Sequence, residues 1–354
     1  MAKQKQSAKT KPPKQSKRKH ASKKGVYTVT NWPSYNQALK QRGSLDVWIA
    51  EDVFDNWDEL LKTANLGKIG HPFVYPSSFI ELVLQLGMVF HQPLRQTEGF
   101  TRSILKLLKL PLVVPDYTTL CRRRAKLTAA LRRIPKDVVA AIADSTGLKF
   151  YGEGEWKVKK HGAGKHRMWR KLHIDVDRDG EIRVSLLTDN AETDANALLK
   201  MLGEEQAKVS NTYADGAYDQ HKVYDALVAL GLTGPDIHIP PQKNAKIWQH
   251  GNCKAPPHPR DENLRAIRKT SREGWKQRSG YHARSLSETV MYRYKRTIGE
   301  RVRARVFVSQ QAETTIGCNV LNRMASLGMP DSTWNGATSI SSTARATSGF
   351  GGSM

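Results

Sequence analysis

The chain has 354 residues, 39% of them hydrophobic, enough for two globular domains at the usual ~100–200 residues each. Fifty-seven Lys and Arg against 33 Asp and Glu leave a formal charge of +24, which fixes no fold but predicts polyanionic partners, nucleic acid first. No apolar run approaches the ~18 residues of a membrane span, and the basic N-terminus lacks the apolar core of a signal peptide. Cys121, Cys253 and Cys318 are odd in number and far apart, which excludes a disulfide scaffold and favours a reducing interior.

Residues 1–24 carry ten Lys/Arg, no acid and almost no apolar side chain. They cannot bury enough surface to offset ordering entropy, so a disordered basic tail is expected, either gripping phosphates or merely solubilising. Residues 25–135 read as all-helical. Ser77–Phe90 has apolar residues at 79, 80, 83, 84, 86 and 90, and Gln92–Leu108 buries Leu94, Phe100, Ile104, Leu105 and Leu108. Asp116 is a plausible N-cap for a helix over Tyr117–Leu131 bearing Arg122, Arg123, Arg124 and Lys126. Helix, helix, turn and basic helix suits a helix-turn-helix in a DNA groove, and equally a bundle with one solvated basic face.

From Lys136 the period changes. Asp137–Ala143 is an apolar strand ending at Asp144-Ser-Thr-Gly; His166–Val176 alternates, with Leu172, Ile174 and Val176 opposite Lys171 and His173; Ile182–Leu187 follows a turn at Asp177–Gly180. Asp194–Lys208 is helical, Thr212–Ala214 a strand ending at Asp215-Gly, Asp219–Leu230 helical, and Asp236–Ile239 a last strand stopped by two prolines. These elements describe an α/β domain over 136–330, a mixed sheet with flanking helices. Ser/Thr/Gly-rich residues 331–354 read as a flexible tail.

Asp144 and Asp215 each fall where an expected strand meets a glycine-containing turn, where ligand sites gather in open α/β sheets, although such aspartates often only cap or turn. A third acid lies in an expected helix over Tyr281–Arg305. At ~100° per residue, Tyr281, Arg284, Glu288 and Lys295 fall within an arc of roughly 60°. A solvated face would show the same spacing, and Arg284–Glu288 also fits a plain i,i+4 pair. Yet residues 243–305 hold seventeen Lys/Arg against five acids, and a carboxylate kept amid so basic a surface reads better as a metal ligand.

The string Tyr281-x2-Arg284-x3-Glu288-x6-Lys295 resembles the C-terminal signature of bacterial insertion-sequence transposases with an Asp-Asp-Glu triad. Asp144-Ser-Thr-Gly-Leu-Lys, Tyr151-Gly-Glu-Gly-Glu-Trp-Lys, Asp215-Gly-Ala-Tyr-Asp and the segment from Asn322-Arg323-Met324 to Gly328-Met329-Pro330 resemble the fifth family of those elements. The likeness spans about residues 30–330. It implies an RNase H-like fold, Asp144, Asp215 and Glu288 as metal-binding catalytic triad, and Tyr281, Arg284 and Lys295 as DNA-facing helpers. It further implies strand cleavage and transfer at terminal inverted repeats, with element-end and target DNA as double-stranded partners, a homodimer or larger assembly on DNA, and action at the nucleoid in the bacterial cytoplasm. Three carboxylates within ~5 Å of one another repel by roughly 3 kcal/mol per pair at an effective dielectric near 20. Two Mg²⁺ ions, for which Mn²⁺ can substitute, would relieve that and suit an in-line displacement at phosphorus.

Two rival functions fit the same residues: a catalytically idle DNA-binding repressor or architectural protein descended from such an enzyme, and a nuclease that cuts without joining. Asp175-x-Asp177-x-Asp179-Gly180 mimics the start of a calcium loop but has Leu186 at the twelfth position, so a hairpin turn is expected. His250, Cys253 and His258 lack a fourth zinc ligand. Glu153, Glu155, Asp189 and Asp194 read as turn or cap acids. Trp248 and Trp275 either stack on an unpaired base or pack in a core.

Overall fold

A computed structural model describes residues 26–49, 56–110, 112–127, 129–150, 169–249 and 256–335. The basic tail over 1–24, Glu153, Glu155, His250 and Cys253 lie outside the described residues. The chain divides into two compact units. In the smaller, strand β1 (Val26–Val29) pairs antiparallel with β8 (Ser332–Asn335), Val29 opposite Ser332. Asp331 continues the junction, its N–H donating to Asn31 Oδ1 and its carbonyl accepting from Thr30 N. The segment read as a flexible tail therefore begins with a strand. Its serine and threonine suit an edge whose ladder partner comes from the other end of the sequence.

The larger unit, residues 38–328, holds the other elements apart from the start of the first helix. Its sheet runs in the order β4 (Ile182–Thr188), β3 (Trp169–Val176), β2 (Val138–Phe150), β5 (Lys208–Tyr213), β6 (Ile237–His238), and a short β7 (Arg301–Val302) adds to the far end of β2. β3 is antiparallel to β2 and β4, whereas β5 lies parallel to β2 and β6. A central strand covered on both faces must be apolar at consecutive positions, which is what Val139-Ala-Ala-Ile142 supplies.

One face packs on α7 (Asp194–Glu204) and α8 (His221–Ala229): Val139, Ala141 and Ala143 meet Leu198, Met201 and Tyr224. The other packs on α11 (Ser285–Thr297) and α12 (Phe307–Ser326): Ala140, Ile142 and Ile174 meet Val290, Met291 and Leu321. The helical region comprises α1 (Trp32–Gln41), α2 (Leu45–Trp48), α3 (Trp57–Asn65), α4 (Ser77–Val89), α5 (Leu94–Leu107) and α6 (Tyr117–Arg124). Phe79, Val83 and Leu86 of α4 pack with Leu105, Leu120 and three residues of α12 itself, Ile316, Val320 and Met324. α4 and α5 approach so closely at Gly87 that a Cβ there would stand 2.5 Å from Thr97 Oγ1.

Four expected elements differ in extent. β2 runs straight through Asp144-Ser-Thr-Gly to Phe150, because β3 pairs with it as far as Lys149↔Trp169. The helix from Asp194 stops at Glu204 and β5 begins at Lys208; Glu205 turns its carboxylate inward to Arg183 and accepts from Gln206 and Ala207 N–H. The helix from Tyr117 ends at Arg124. Beyond it Leu127 enters the helical core, and the backbone of Ala130 and Arg132 bonds to the side-chain amides of Asn319 and Asn322 instead of to a helical turn. The last expected helix is a 3₁₀ turn over Tyr281–Arg284 followed by α11, which ends before Gly299 at φ +128°, a position an L side chain resists.

Candidate active site

The parallel register of β2 and β5 aligns Ile142 with Tyr213. Two residues further on stand Asp144, inside β2, and Asp215, just past the end of β5. Because side chains alternate, Asp144 points to the same face as Ile142, the face that α11 covers. α11 carries Glu288 in its first turn and packs on β2, so a glutamate 144 residues further along the chain arrives over the two aspartates.

Each acid has a local anchor. Asp144 Oδ1 accepts from Ser145 N–H at 2.8 Å. Asp215 caps the 3₁₀ turn Gly216–Tyr218, its Oδ1 accepting from Ala217 N–H at 2.8 Å. Glu288, more exposed, accepts from Arg284 Nη1 in an i,i+4 pair. The groups feel one another's charge. Burial first, then Asp215 and Glu288, push the Asp144 carboxyl above its ordinary range, against the lowering pull of Ser145 N–H and Arg284. Burial opposes the Arg284 charge, but Tyr281, Asp144, Glu288 and Asp215 outweigh it and hold the guanidinium protonated. Tyr281 is raised by burial, and all three carboxylates add to that. Tyr281, Arg284, Asp144, Asp215 and Glu288 are therefore one electrostatic cluster, in which Arg284 supplies the positive charge. Lys295 lies two turns further along α11, about 10 Å along its axis at 1.5 Å per residue.

Two family models, both described as Transposase DDE domain, match the chain, one over residues 40–153 and the other over residues 136–323, just over half its length. The chain belongs to the DDE transposase family of insertion sequences. The sheet of this transposase, ordered 4-3-2-5-6 with its first two strand pairings antiparallel and the rest parallel, is the RNase H-like fold that family implies. Members of the family typically use divalent metal ions. The donor set fits: three carboxylates are hard oxygen ligands of the kind Mg²⁺ takes, and their mutual repulsion calls for more positive charge than one guanidinium brings. Among the described residues no three acidic, imidazole or thiol side chains already enclose a cation position, and Glu288 is turned onto Arg284.

The basic helix of the transposase splits in two. Asp116 caps α6 as expected, accepting from Thr118 and Thr119 N–H, and Arg122 and Lys126 are exposed. Arg123 and Arg124, expected on the DNA-facing side, are buried. Arg123 donates to Tyr75 O and Ser77 Oγ and lies 3.9 Å over the Phe73 ring, and Arg124 pairs with Glu313 at 3.6 Å. A helix only eight residues long, wedged between α4, α5 and α12, has room for one solvated edge, so the other two guanidinia became internal fasteners.

The lesser candidates take structural roles. Asp177 and Asp179 close a hairpin with Gly180 at φ +77° and bind Lys136. His258 caps α9 (Pro259–Lys269), its Nδ1 accepting from Arg260 N–H. Trp248 is stacked on His221 and covered by Arg260. Trp275, in α10 (Arg272–Arg278), is buried and donates to Asn263 Oδ1. Asp189 closes a turn through Ala191 and Glu192 N–H. Asp194 does not cap, since Thr193 accepts from Asn196 N–H in that role; its carboxylate lies 3.6 Å from both Lys171 Nζ and His173 Nδ1. Tyr218, inside the quoted string from Asp215 to Asp219, carries no expectation in the sequence reading, yet its hydroxyl lies within electrostatic reach of the site.

Proposed function

We propose that this transposase binds the terminal inverted repeats of its element and carries out metal-dependent strand cleavage and strand transfer into target DNA. The observation that supports this reading is that Asp144, Asp215 and Glu288 with Arg284 and Tyr281 lie within electrostatic reach of one another beside the end of β5. In it Asp144, Asp215 and Glu288 hold two Mg²⁺ ions, with Mn²⁺ able to replace them. When bound, the ions activate the attacking oxygen and stabilise the leaving one. The chain's own groups do the rest. Arg284 exchanges Glu288 for a non-bridging phosphate oxygen, neutralising it and returning the carboxylate to the triad. Tyr281 donates to the DNA backbone beside the scissile phosphate. Lys295, further along α11, neutralises a neighbouring phosphate.

Water attack at phosphorus releases a 3′-hydroxyl, and attack by that hydroxyl on a target phosphodiester joins the strands, so one set of carboxylates serves both steps. Residues 25–135 present Arg122 and Lys126 to the duplex while 136–330 hold the reaction centre. Bringing two ends together requires a dimer or larger assembly on the DNA.

The test incubates the full chain with labelled element-end DNA and a target plasmid, with Mg²⁺ or with EDTA. Joined, Mg²⁺-dependent products support the reading. Cleavage without joining supports a nuclease, and retarded bands alone support an idle binder. Glu288→Gln keeps the shape of α11 and its basic face, so it retains end binding and loses cleavage. Normal cutting by this variant would refute the triad.

A further inference from the structure

The end of β5 is also approached from the opposite face of the sheet. There, His173 of β3, Asp194 at the start of α7 and Tyr218 at the end of the 3₁₀ turn after Asp215 come together from three elements. His173 is sealed from solvent with Nε2 2.9 Å from Thr188 Oγ1, and burial before all else holds its pKa down at about 4. It is therefore neutral near pH 7. The Tyr218 ring packs in the core against Ala143 and Ala195 at 2% exposure. Its hydroxyl has no hydrogen-bond partner among the described residues, and the same holds for His173 Nδ1 and Asp194 Oδ1.

A buried hydroxyl left unpaired is costly, and a phenylalanine would fill the same core without that cost. Burial first, then the charges of Asp194, Asp144 and Asp215, opposed by Arg284, keep the phenol protonated and hence a hydrogen-bond donor. Asp194 already has Lys171 beside it. Among the described residues, Asp144 and Asp215 each have one hydrogen bond to the carboxylate, from a backbone N–H.

We propose that Tyr218 is a positioning residue for the Asp144–Asp215 pair, its hydroxyl donating to a carboxylate oxygen that the divalent cation leaves over. The inference rests on the triad reading above and deepens it. Groups of this kind orient a metal's ligands, and losing one typically lowers metal affinity ~10–100-fold.

Mn²⁺ titration of the DNA-free full-length protein, followed by electron paramagnetic resonance of the unbound ion, tests it on wild type, Tyr218→Phe and Asp144→Asn. Phe keeps the ring in its core, so melting should stay at or above wild type. Mn²⁺ affinity of Tyr218→Phe is expected to fall roughly tenfold or more, with cleavage of element-end DNA recovering as Mn²⁺ is raised. Wild-type affinity in Tyr218→Phe alongside weakened binding in Asp144→Asn would overturn the inference and leave the triad standing. Wild-type affinity in both would overturn the triad and the inference with it. Melting that falls together with affinity would assign the hydroxyl to folding and also overturn the proposal.

Discussion

Asp219 and Arg260 form a buried ion pair whose removal has a calculable effect. Asp219 leaves the 3₁₀ turn that Asp215 caps, and its carboxylate accepts from Arg260 Nε at 2.6 Å and Nη2 at 3.2 Å, with side-chain exposures of 1% and 5%. The guanidinium also donates to Lys246 O and lies 3.7 Å over Trp248, while Asp219 accepts from Gln242 N–H. This bidentate clamp ties the segment leading to α9 and α10, and so to Tyr281, back to the turn beside the site. Asp219→Ala leaves the buried guanidinium with only the Asp261 carboxylate, 3.7 Å away, and without its bidentate partner, and should cost about 3–5 kcal/mol. At ~2–4 °C per kcal/mol for large domains, melting should fall by roughly 6–20 °C, nearer the lower figure for a unit this size. Replacing both partners by apolar residues, Asp219→Leu with Arg260→Met, should recover most of the loss, since the isolated charge is what destabilises. Thermal unfolding followed by circular dichroism at pH 7 measures both. A single variant within 1 kcal/mol of wild type, or a double variant as unstable as the single, would refute the reasoning.

Two more expectations follow from burial. Arg122→Ala with Lys126→Ala should flatten the salt dependence of DNA binding by a slope of roughly 2, about 0.9 per lost phosphate contact. Arg123→Ala should leave the slope alone and lower the melting temperature instead, and filter binding at several salt concentrations separates the two. Asp175 is fully buried, and burial, followed by the charge of Glu205, raises its carboxyl to a pKa of about 8. The folded chain thus keeps a proton that the unfolded chain releases above about pH 4. This contribution is complete below that pH and is lost as pH rises towards 8, at roughly 1 kcal/mol per unit. Asp175→Asn should therefore show a flatter stability profile between pH 5 and 8 in denaturant unfolding, and an unchanged profile would disprove the assignment.

The parts of the structure legible in the sequence were those governed by local period and capping. Leu172, Ile174 and Val176 announced β3, Asp116 its helix, and the spacing from Tyr281 to Glu288 a shared helix face. What escaped depended on partners distant in the chain. Whether Arg123 faces solvent is decided by Tyr75 and Ser77, and whether the backbone after Leu127 stays helical is decided by Asn319 and Asn322. α12 gave no periodic signal because it is buried nearly all round, polar residues included, so no stripe distinguishes one face. Gly299 marks the end of α11 in the sequence itself, at a positive φ that glycine adopts freely. Within the site, Asp215 beyond a strand end was readable, but Asp144 lies inside β2, and Asp194 and Tyr218 acquire significance only when the two sheet faces are assembled.

α12 has a consequence for how the protein is made. It fills the helical core with Ile316, Val320 and Met324 and the sheet core with Cys318 and Leu321, alternating between the two along a single rod. A polypeptide broken off before Phe307 would emerge with both interiors open and would not release a tidy helical fragment able to occupy DNA alone. Chaperones and proteases would meet such a product first, so shortened copies of this transposase should disappear from the cell and not compete with the complete one.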